Sequence, residues 1–264
     1  MYNFDYVRPS TIADAVSALG GEDAQAIAGG QTLIATMKQR LAQPRTLVDL
    51  GGVAELRGIS VDAGTVTIKG GTRHADVETS AEVRAAIPAL ADLAGRIGDP
   101  QVRNRGTIGG SVANNDPSAC YPAAVLGLGG SIVTNAREIA ADDFFQGLYT
   151  TALDEGELIT AVKFPTPDAA SWQKFEQPAS RFSLVGVFLS RTGSEVRVAV
   201  TGASEEGVFR ATALEQALSA NFSPAAVDGV AVSADGMISD LHGTPEYRAH
   251  LIKVMTKRAV SAVA

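Results

Sequence analysis

The apolar and polar positions in the first fifty residues predict a small α/β unit. Apolar residues recur at helical spacing from Ile12 to Leu19, after Ser10 as a capping residue and before a stop at Gly20-Gly21. The pattern then predicts a strand at 24–28, a helix at 32–42 capped by Thr32, and a near-continuous apolar strand at 45–50. This order of strand, helix and strand is typical of a parallel βαβ unit.

The middle of the chain predicts alternating strands and short helices. Residues 59–61 and 65–69 alternate in polarity around Asp62-Ala63-Gly64, which indicates a hairpin. Further elements are predicted in the order helix 75–80, helix 82–96 with a break at Pro88, helix 121–128 and strand 131–134.

From about Trp172 the pattern is that of an antiparallel sheet covered by helices, beyond a linker at Pro165-Thr166-Pro167. The predicted elements are strands at 184–189 and 195–200 and helices at 211–219 and 245–262. One face of the last helix carries four residues that we expect to be buried: Tyr247, Leu251, Val254 and Met255.

Composition narrows the possible functions. A net charge of −7 and a pI near 5.0 argue against a nucleic-acid surface, which needs clustered Lys and Arg. We expect a cytoplasmic protein, because the N-terminus lacks a signal-peptide pattern and no apolar run is long enough to span a membrane. The single Cys120 excludes an intrachain disulfide and an iron–sulfur cluster held by this chain, and three scattered histidines do not indicate a zinc site. Redox chemistry would therefore depend on an organic cofactor.

Two glycine pairs suggest a phosphate site. They lie in Ala28-Gly29-Gly30-Gln31-Thr32-Leu33-Ile34 and in Thr107-Ile108-Gly109-Gly110-Ser111, and we expect a β-prone run before each pair, at Ala26-Ile27 and at Val102 with Thr107-Ile108. Backbone N–H groups in such loops hold phosphate oxygens without a cation. We therefore expect the two loops to hold one dinucleotide diphosphate from two sides. Ordinary turns explain the other pairs, which are Gly20-Gly21, Gly51-Gly52, Gly70-Gly71 and Gly129-Gly130.

Competing motifs are absent from the sequence. It has no G-x-G-x-x-G after a first strand, no G-x-x-x-x-G-K-[ST] and no G-x-S-x-G. Near the glycine loops, His74 is either a ligand contact or a hydrogen-bonded structural residue. Arg103 and Arg105 either lie in solvent, steer an acidic ligand or hold a neighbouring subunit.

Five segments together carry a family resemblance. They are Ala28-Gly29-Gly30-Gln31-Thr32-Leu33-Ile34, Leu47-Val48-Asp49-Leu50, Val102-Arg103-Asn104-Arg105-Gly106-Thr107-Ile108-Gly109-Gly110-Ser111, Arg137-Glu138-Ile139 and Asp143-Phe144-Phe145. In this order the chain resembles the FAD-binding medium subunit of the molybdenum hydroxylases, the xanthine dehydrogenase and carbon monoxide dehydrogenase family. The resemblance extends from Phe4 to about Arg258.

The resemblance implies an α+β fold with an FAD-binding part of the vanillyl-alcohol-oxidase-like (PCMH) type. It places one α/β lobe of that part at 1–52 and a second lobe at 53–168. A C-terminal flavoprotein domain, built of an antiparallel sheet and helices, would occupy 169–264.

The resemblance also implies which residues bind FAD non-covalently. The two loops would wrap the pyrophosphate, while Ile97, Lys174 and the segment Glu157-Leu158-Ile159 would flank the flavin ring. The full set is Ile27, Ala28, Gly29, Gly30, Gln31, Thr32, Leu33, Ile34, Ile97, Gly106, Thr107, Ile108, Gly109, Gly110, Ser111, Asp116, Cys120, Ile159 and Lys174.

Cys120 is a departure from the family, which usually has an acid in contact with the flavin at this position. A thiol is a weak donor, so water or Asp116 would replace the carboxylate contact, or the contact is lost and Cys120 only packs. A second departure is Arg181-Phe182-Ser183, where relatives often carry an aromatic hydroxyl.

The resemblance implies an electron-transfer subunit of an oxidoreductase complex rather than a chain that oxidises substrate. Its FAD would take electrons from the [2Fe–2S] clusters of a small partner subunit and pass them to an external acceptor, beside a large molybdopterin subunit, in a dimer of such heterotrimers. Two alternatives stay open: a free-standing flavin oxidoreductase and a cofactor-free binding module of the same fold. No motif selects the substrate or the acceptor.

Overall fold

Three short parallel strands with two helices form the N-terminal part of the computed structural model, which describes residues 1–263. The elements are β1 (Asp5–Val7), α1 (Ile12–Leu19), β2 (Ala24–Ile27), α2 (Leu33–Lys38) and β3 (Thr46–Asp49), followed by 3₁₀ turns at Leu50–Gly52 and Ala54–Leu56. The strand order is β1-β3-β2, and β2 pairs with β3 in parallel. The predicted βαβ unit is therefore confirmed.

The ends of the first two helices differ from the prediction. Thr11, not Ser10, caps α1, because its hydroxyl accepts the N–H of Asp14 at 3.1 Å. Thr32 makes no side-chain cap to α2. This helix ends at Lys38, short of the predicted 42, because Arg40 adopts a left-handed conformation with φ of +62°.

A five-stranded antiparallel sheet with helices against it follows. Its elements are β4 (Ile59–Asp62), β5 (Thr65–Lys69), α3 (His74–Thr79), α4 (Ala81–Ala86), α5 (Pro88–Gly95), α6 (Pro100–Arg103), α7 (Ile108–Asn114), α8 (Tyr121–Gly127), β6 (Ser131–Thr134), β7 (Glu138–Ala140), α9 (Ala141–Phe144), β8 (Phe145–Gly147), β9 (Thr150–Thr151) and β10 (Ile159–Pro165). The strand order is β4-β5-β10-β6-β7, and β8 and β9 form a separate hairpin. The predicted hairpin of β4 and β5 is confirmed.

The second glycine loop forms the first turn of α7, so the β-prone run predicted before it is wrong at Val102 and Ile108, and only Thr107 makes an isolated β-bridge, with Arg73. Val102 lies in α6, which Asp99 caps by accepting the Val102 N–H at 2.8 Å, with Pro100 in the first turn. Thr107 caps α7 in the same way through the N–H of Gly110. Capping groups therefore outweigh the β propensity of the valine and isoleucine side chains.

A four-stranded antiparallel sheet forms the C-terminal part. Its elements are β11 (Ala169–Glu176), β12 (Ser183–Thr192), β13 (Glu195–Ser204), β14 (Gly207–Arg210), α10 (Thr212–Ala220), a 3₁₀ turn (Pro224–Val227) and α11 (Pro245–Ser261). One face of this sheet, including Trp172 and Phe188, joins the core around α5 and α8, while Val185 and Val187 pack with α10 and α11. The two central strands of this C-terminal sheet, β12 and β13, are therefore covered on both faces, which explains their near-continuous apolar sequence.

The predicted buried face of α11 is only partly correct. Leu251 and Met255 are buried and Val254 is partly buried. Tyr247 is 41% exposed and contacts the ring of Phe175 edge-to-face, with the ring centroids 6.3 Å apart. The predicted α+β class is confirmed, and none of the helices in residues 1–263 is both long and apolar enough to cross a bilayer.

Candidate cofactor site

The two glycine loops touch through their backbones. A Cβ atom on Gly29 would lie 2.6 Å from the Cα atom of Gly106 and even closer to the carbonyl oxygen of Arg105. No side chain larger than hydrogen fits between these two segments. The structure therefore brings together the loops that the sequence pattern selected, although they are far apart in the chain.

The first loop presents a run of unused backbone donors. Within residues 1–263, no hydrogen bond uses the N–H groups of Gly29, Gly30, Gln31, Thr32 and Leu33. Gly30 has a φ of +68°, which curls the loop into the start of α2, and the Gln31 amide holds it by donating to the Gly29 carbonyl at 3.1 Å. Successive N–H groups at a helix start suit the oxygens of a pyrophosphate, so these residues fit the expected FAD.

The second loop has already used most of its backbone donors. Each N–H group from Ile108 to Ser111 has an acceptor within the protein. The pairs are Ile108 to Thr72 O (3.1 Å), Gly109 to Gly70 O (2.8 Å), Gly110 to Thr107 Oγ1 (3.2 Å) and Ser111 to Thr107 O (3.0 Å). Four of the five backbone N–H groups in this loop are thus used within the protein, and the Thr107 N–H alone makes no hydrogen bond in residues 1–263.

Gly70 is a residue of this site that the sequence analysis missed. A Cβ atom on Gly109 would lie 2.6 Å from the Gly70 carbonyl oxygen, and a Cβ atom on Gly70 would overlap the carbonyl oxygen of Ile159. The backbones of Gly109, Gly70 and Ile159 thus pack against one another in that order, with Gly70 between the second loop and Ile159. The sequence signal was a glycine pair, but its partners are long-range and no local pattern identifies them.

His74 packs beneath the second loop as a neutral side chain. A Cβ atom on Gly106 would lie 2.5 Å from its Nε2 atom, and its ring centroid is 5.3 Å from that of Tyr121. Burial lowers the pKa of His74 to about 4, with a further contribution from the nearby Arg103 charge. Its Nδ1 atom and the Tyr121 hydroxyl have no partner in residues 1–263, and burial raises the pKa of Tyr121. His74 is therefore buried and packed, but within residues 1–263 its side chain makes none of the hydrogen bonds that the structural interpretation expected.

The two arginines before the second loop have different environments. Arg103 donates from Nε to the Glu78 carboxylate at 2.8 Å and from Nη1 to the Gly98 carbonyl at 3.2 Å. Arg105 is exposed, and its side chain makes no hydrogen bond or ion pair in the described part of the chain. Only Arg105 is therefore available to an acidic ligand or partner.

Lys174 and Ile97 lie together where the C-terminal sheet meets α5. The Lys174 ammonium donates to the carbonyl of Arg96 at 2.7 Å, and Arg96 returns a bond from Nη2 to the Lys174 carbonyl at 3.1 Å. Lys174 is 7% exposed, and no carboxylate lies within 4.0 Å of its nitrogen in residues 1–263. Lys174 is thus a buried side chain whose nitrogen bonds to a carbonyl group and forms no ion pair within 4.0 Å in residues 1–263.

Cys120 and Asp116 have partners within the protein. Cys120 is buried, with its Sγ atom 3.8 Å from Ser183 Oγ on β12. Asp116 accepts the N–H of Ser118 at 2.8 Å and the hydroxyl of Tyr149 at 3.3 Å. No hydrogen bond or ion pair among the described residues joins Lys174, Cys120 or Asp116 to the glycine loops, so they form separate clusters.

Glu157, one of the residues matched to the flavin ring, is part of an ion pair. Arg137 donates to its carboxylate at 3.0 and 2.9 Å, and the Thr134 hydroxyl donates at 2.6 Å. The hydrogen bond from Arg137 is the main reason why the pKa of Glu157 falls to about 2. This side chain therefore anchors the segment that leads to Ile159.

Comparisons with known proteins match the chain to two flavoprotein domain families. Residues 2–167 match the family described as "FAD binding domain in molybdopterin dehydrogenase", and residues 174–263 match "CO dehydrogenase flavoprotein C-terminal domain". The carbon monoxide dehydrogenase medium chain of Hydrogenophaga pseudoflava is 34% identical over 98% of this chain and 96% of its own. The nicotine 6-hydroxylase medium subunit of Paenarthrobacter nicotinovorans is 35% identical over 97% and 95%.

A solved structure extends the likeness to three dimensions. The reconstituted CO dehydrogenase from Oligotropha carboxidovorans matches with a TM-score of 0.90 and 34% identity. The match covers 98% of this chain and 97% of that one.

Proposed function

This chain belongs to the family of FAD-binding medium subunits of molybdenum hydroxylases of the CO dehydrogenase and xanthine dehydrogenase type, and from that membership we propose its place in electron flow. It is the FAD subunit of an oxidoreductase complex. We propose that it takes electrons from the [2Fe–2S] clusters of a partner subunit and passes them to an external acceptor.

The observation that carries this proposal is the run of free N–H groups from Gly29 to Leu33, held against the backbone of Gly106. These donors would hold the FAD pyrophosphate, with the second loop as the facing wall. Ile97 and Lys174 would lie near the flavin ring, since they meet at the boundary between the middle and C-terminal parts. When bound, FAD supplies the exchange between single electrons and electron pairs.

The composition of the chain supports a complex in which this subunit binds FAD and other subunits bind the metal centres. A single cysteine cannot ligate an iron–sulfur cluster, and residues 1–263 contain no group of three or more His, Cys, Asp or Glu side chains arranged for a metal ion. The metal chemistry would belong to partners: a large molybdopterin subunit and a small [2Fe–2S] subunit, in a dimer of heterotrimers located in the cytoplasm. The names of the relatives as medium chains of dehydrogenases support such partners.

Isolation of the native complex tests the proposal. We expect this chain to co-purify with a larger and a smaller subunit and to contain one FAD, measured by absorbance after release by heat. A chain that purifies alone and reduces dyes with NADH would indicate a free-standing flavin oxidoreductase. A colourless chain whose melting temperature does not rise with added FAD would indicate a cofactor-free module, since a ligand at 100 times its Kd stabilises by about 2.7 kcal/mol.

A further inference from the structure

Arg248 is a buried cation in the C-terminal part, remote in sequence from both glycine loops. It is 2% exposed, and its Nη2 atom donates to the Asp240 carboxylate at 2.7 Å. Its Nη1 atom donates to the carbonyls of Leu184 at 2.9 Å and Gly202 at 2.7 Å. A packed apolar side chain is often as stable as a buried ion pair, so burial alone does not explain an arginine here.

The strand held by Arg248 in turn holds the loop at 116–120. The Gly202 N–H donates to the Pro117 carbonyl at 2.8 Å. The hydroxyl of Thr201, which is fully buried, lies 2.9 Å from the Pro117 carbonyl and 2.8 Å from the Ala119 carbonyl. Residues 201 and 202 therefore fix this loop at two of its carbonyl groups.

The same arginine also supports the other side of the Cys120 contact. Ser183, whose hydroxyl faces Cys120 Sγ at 3.8 Å, directly precedes Leu184, one of the two residues whose carbonyls accept from Arg248. A Cβ atom on Gly202 would lie 2.4 Å from the Ser183 carbonyl oxygen, so the two strand ends are in backbone contact. The Arg248 guanidinium is thus linked to both residues of the Cys120–Ser183 pair: to Ser183 through Leu184, and to the loop of Cys120 through Gly202.

We propose that Arg248 is a positioning residue which, through Thr201 and Gly202, fixes loop 116–120 and Ser183 against bound FAD. The inference rests on the proposed function, since it takes Asp116 and Cys120 as the residues of this loop that approach the cofactor. Arg248 itself touches neither. Its role is to keep the polar groups of the loop at a set distance from the flavin, where a small displacement alters the interaction.

Substitutions at Thr201 test this role within the purified native complex. Thr201→Val removes the hydroxyl at nearly constant volume, and Thr201→Ser keeps it. Arg248→Met removes the guanidinium group. Thr256→Val is the matched control, because Thr256 is equally buried but its hydroxyl bonds only to Ile252 of the same helix, at 2.8 Å. The readouts are the FAD release rate, the visible circular dichroism of bound FAD and the melting temperature.

We expect Thr201→Val and Arg248→Met to release FAD about tenfold faster and to alter its visible dichroism, as the loss of a buried hydrogen bond would allow. Thr201→Ser should restore both readouts, and Thr256→Val should lower only the melting temperature. If the complex with Arg248→Met fails to assemble, the FAD release rate and visible dichroism of Thr201→Val are the test of the positioning role. A wild-type complex that holds FAD while Thr201→Val releases it at the wild-type rate would overturn the positioning role alone. A wild-type complex without FAD would overturn the proposed function and this role together.

Discussion

A Cβ atom on Gly29 would lie 2.6 Å from the Cα atom of Gly106, so the two glycine loops are in direct backbone contact. Gly29→Ala should force them apart, because both neighbours are backbone and cannot rotate away. Overpacking of this kind costs about 1–3 kcal/mol. We expect the variant to purify with little FAD and a lower melting temperature, measured by absorbance and thermal unfolding.

Gly20→Ala is the matched control for this substitution. A Cβ atom on Gly20 would meet its nearest neighbour, the Ser17 carbonyl oxygen, at 3.5 Å, which is ordinary van der Waals contact. This variant should retain the wild-type FAD content. Equal FAD content in both variants would show that close contact between the loops is not required.

Arg103 and Arg105 should respond differently to the same substitution. Arg103→Met removes the ion pair to Glu78 and should lower the melting temperature, as loss of a charged hydrogen bond costs about 1.5–3 kcal/mol. Arg105→Met should change stability by less than about 0.5 kcal/mol, since its side chain is exposed. It should instead slow FAD association at low salt, measured by stopped-flow fluorescence. Identical association rates in the wild type and Arg105→Met would rule out steering by this charge.

His74 should make the fold sensitive to mild acid. Its pKa is about 4 in the folded chain, below the ordinary value of 6.5, so the unfolded chain takes up the proton first. Its stabilising contribution is therefore complete above pH 6.5 and decreases as the pH falls toward 4. Relative to His74→Asn, the wild type should lose about 2 kcal/mol between pH 6.5 and 5, measured by urea unfolding.

His250→Asn provides the control for this pH profile, because His250 is exposed on α11. It should keep the wild-type dependence on pH. Parallel profiles for the wild type and His74→Asn would contradict the buried, neutral state of His74.

Lys174→Met should lower the midpoint potential of the bound FAD. The ammonium is buried without a carboxylate within 4.0 Å in residues 1–263, and a positive charge near the ring favours the reduced, anionic flavin. We expect a decrease of about 30 mV, equivalent to about 1.4 kcal/mol for two electrons, in a redox titration. Lys69→Met removes the same charge from an exposed position and should leave the potential unchanged. A similar shift in both variants would mean that Lys174 acts only through net charge.

Local sequence signals were sufficient for the first glycine loop because a βαβ unit is assembled from neighbours in the chain. The second loop was harder. Val102 and Ile108 have β-prone side chains, whereas the deciding signals were the caps at Asp99 and Thr107. Both capping residues are present in the sequence, but the β propensity of the neighbouring side chains points to a strand.

Long-range contacts were beyond any local pattern. Gly70 looks like a turn residue, and its importance comes from Gly109 and Ile159, far away in the chain. Similarly, helical spacing placed Tyr247 inside and gave no reason to bury its neighbour Arg248. A guanidinium enters a core only where distant carbonyls and a carboxylate satisfy it, and those partners are known only once the strands are in place.

The backbone N–H groups of the two glycine loops differ in whether the protein itself supplies their acceptors. The N–H groups from Ile108 to Ser111 already have acceptors within the protein, so these four donors need no cofactor to satisfy them. The five adjacent N–H groups from Gly29 to Leu33 have no acceptor within residues 1–263, so the chain folded without FAD would leave these donors to water.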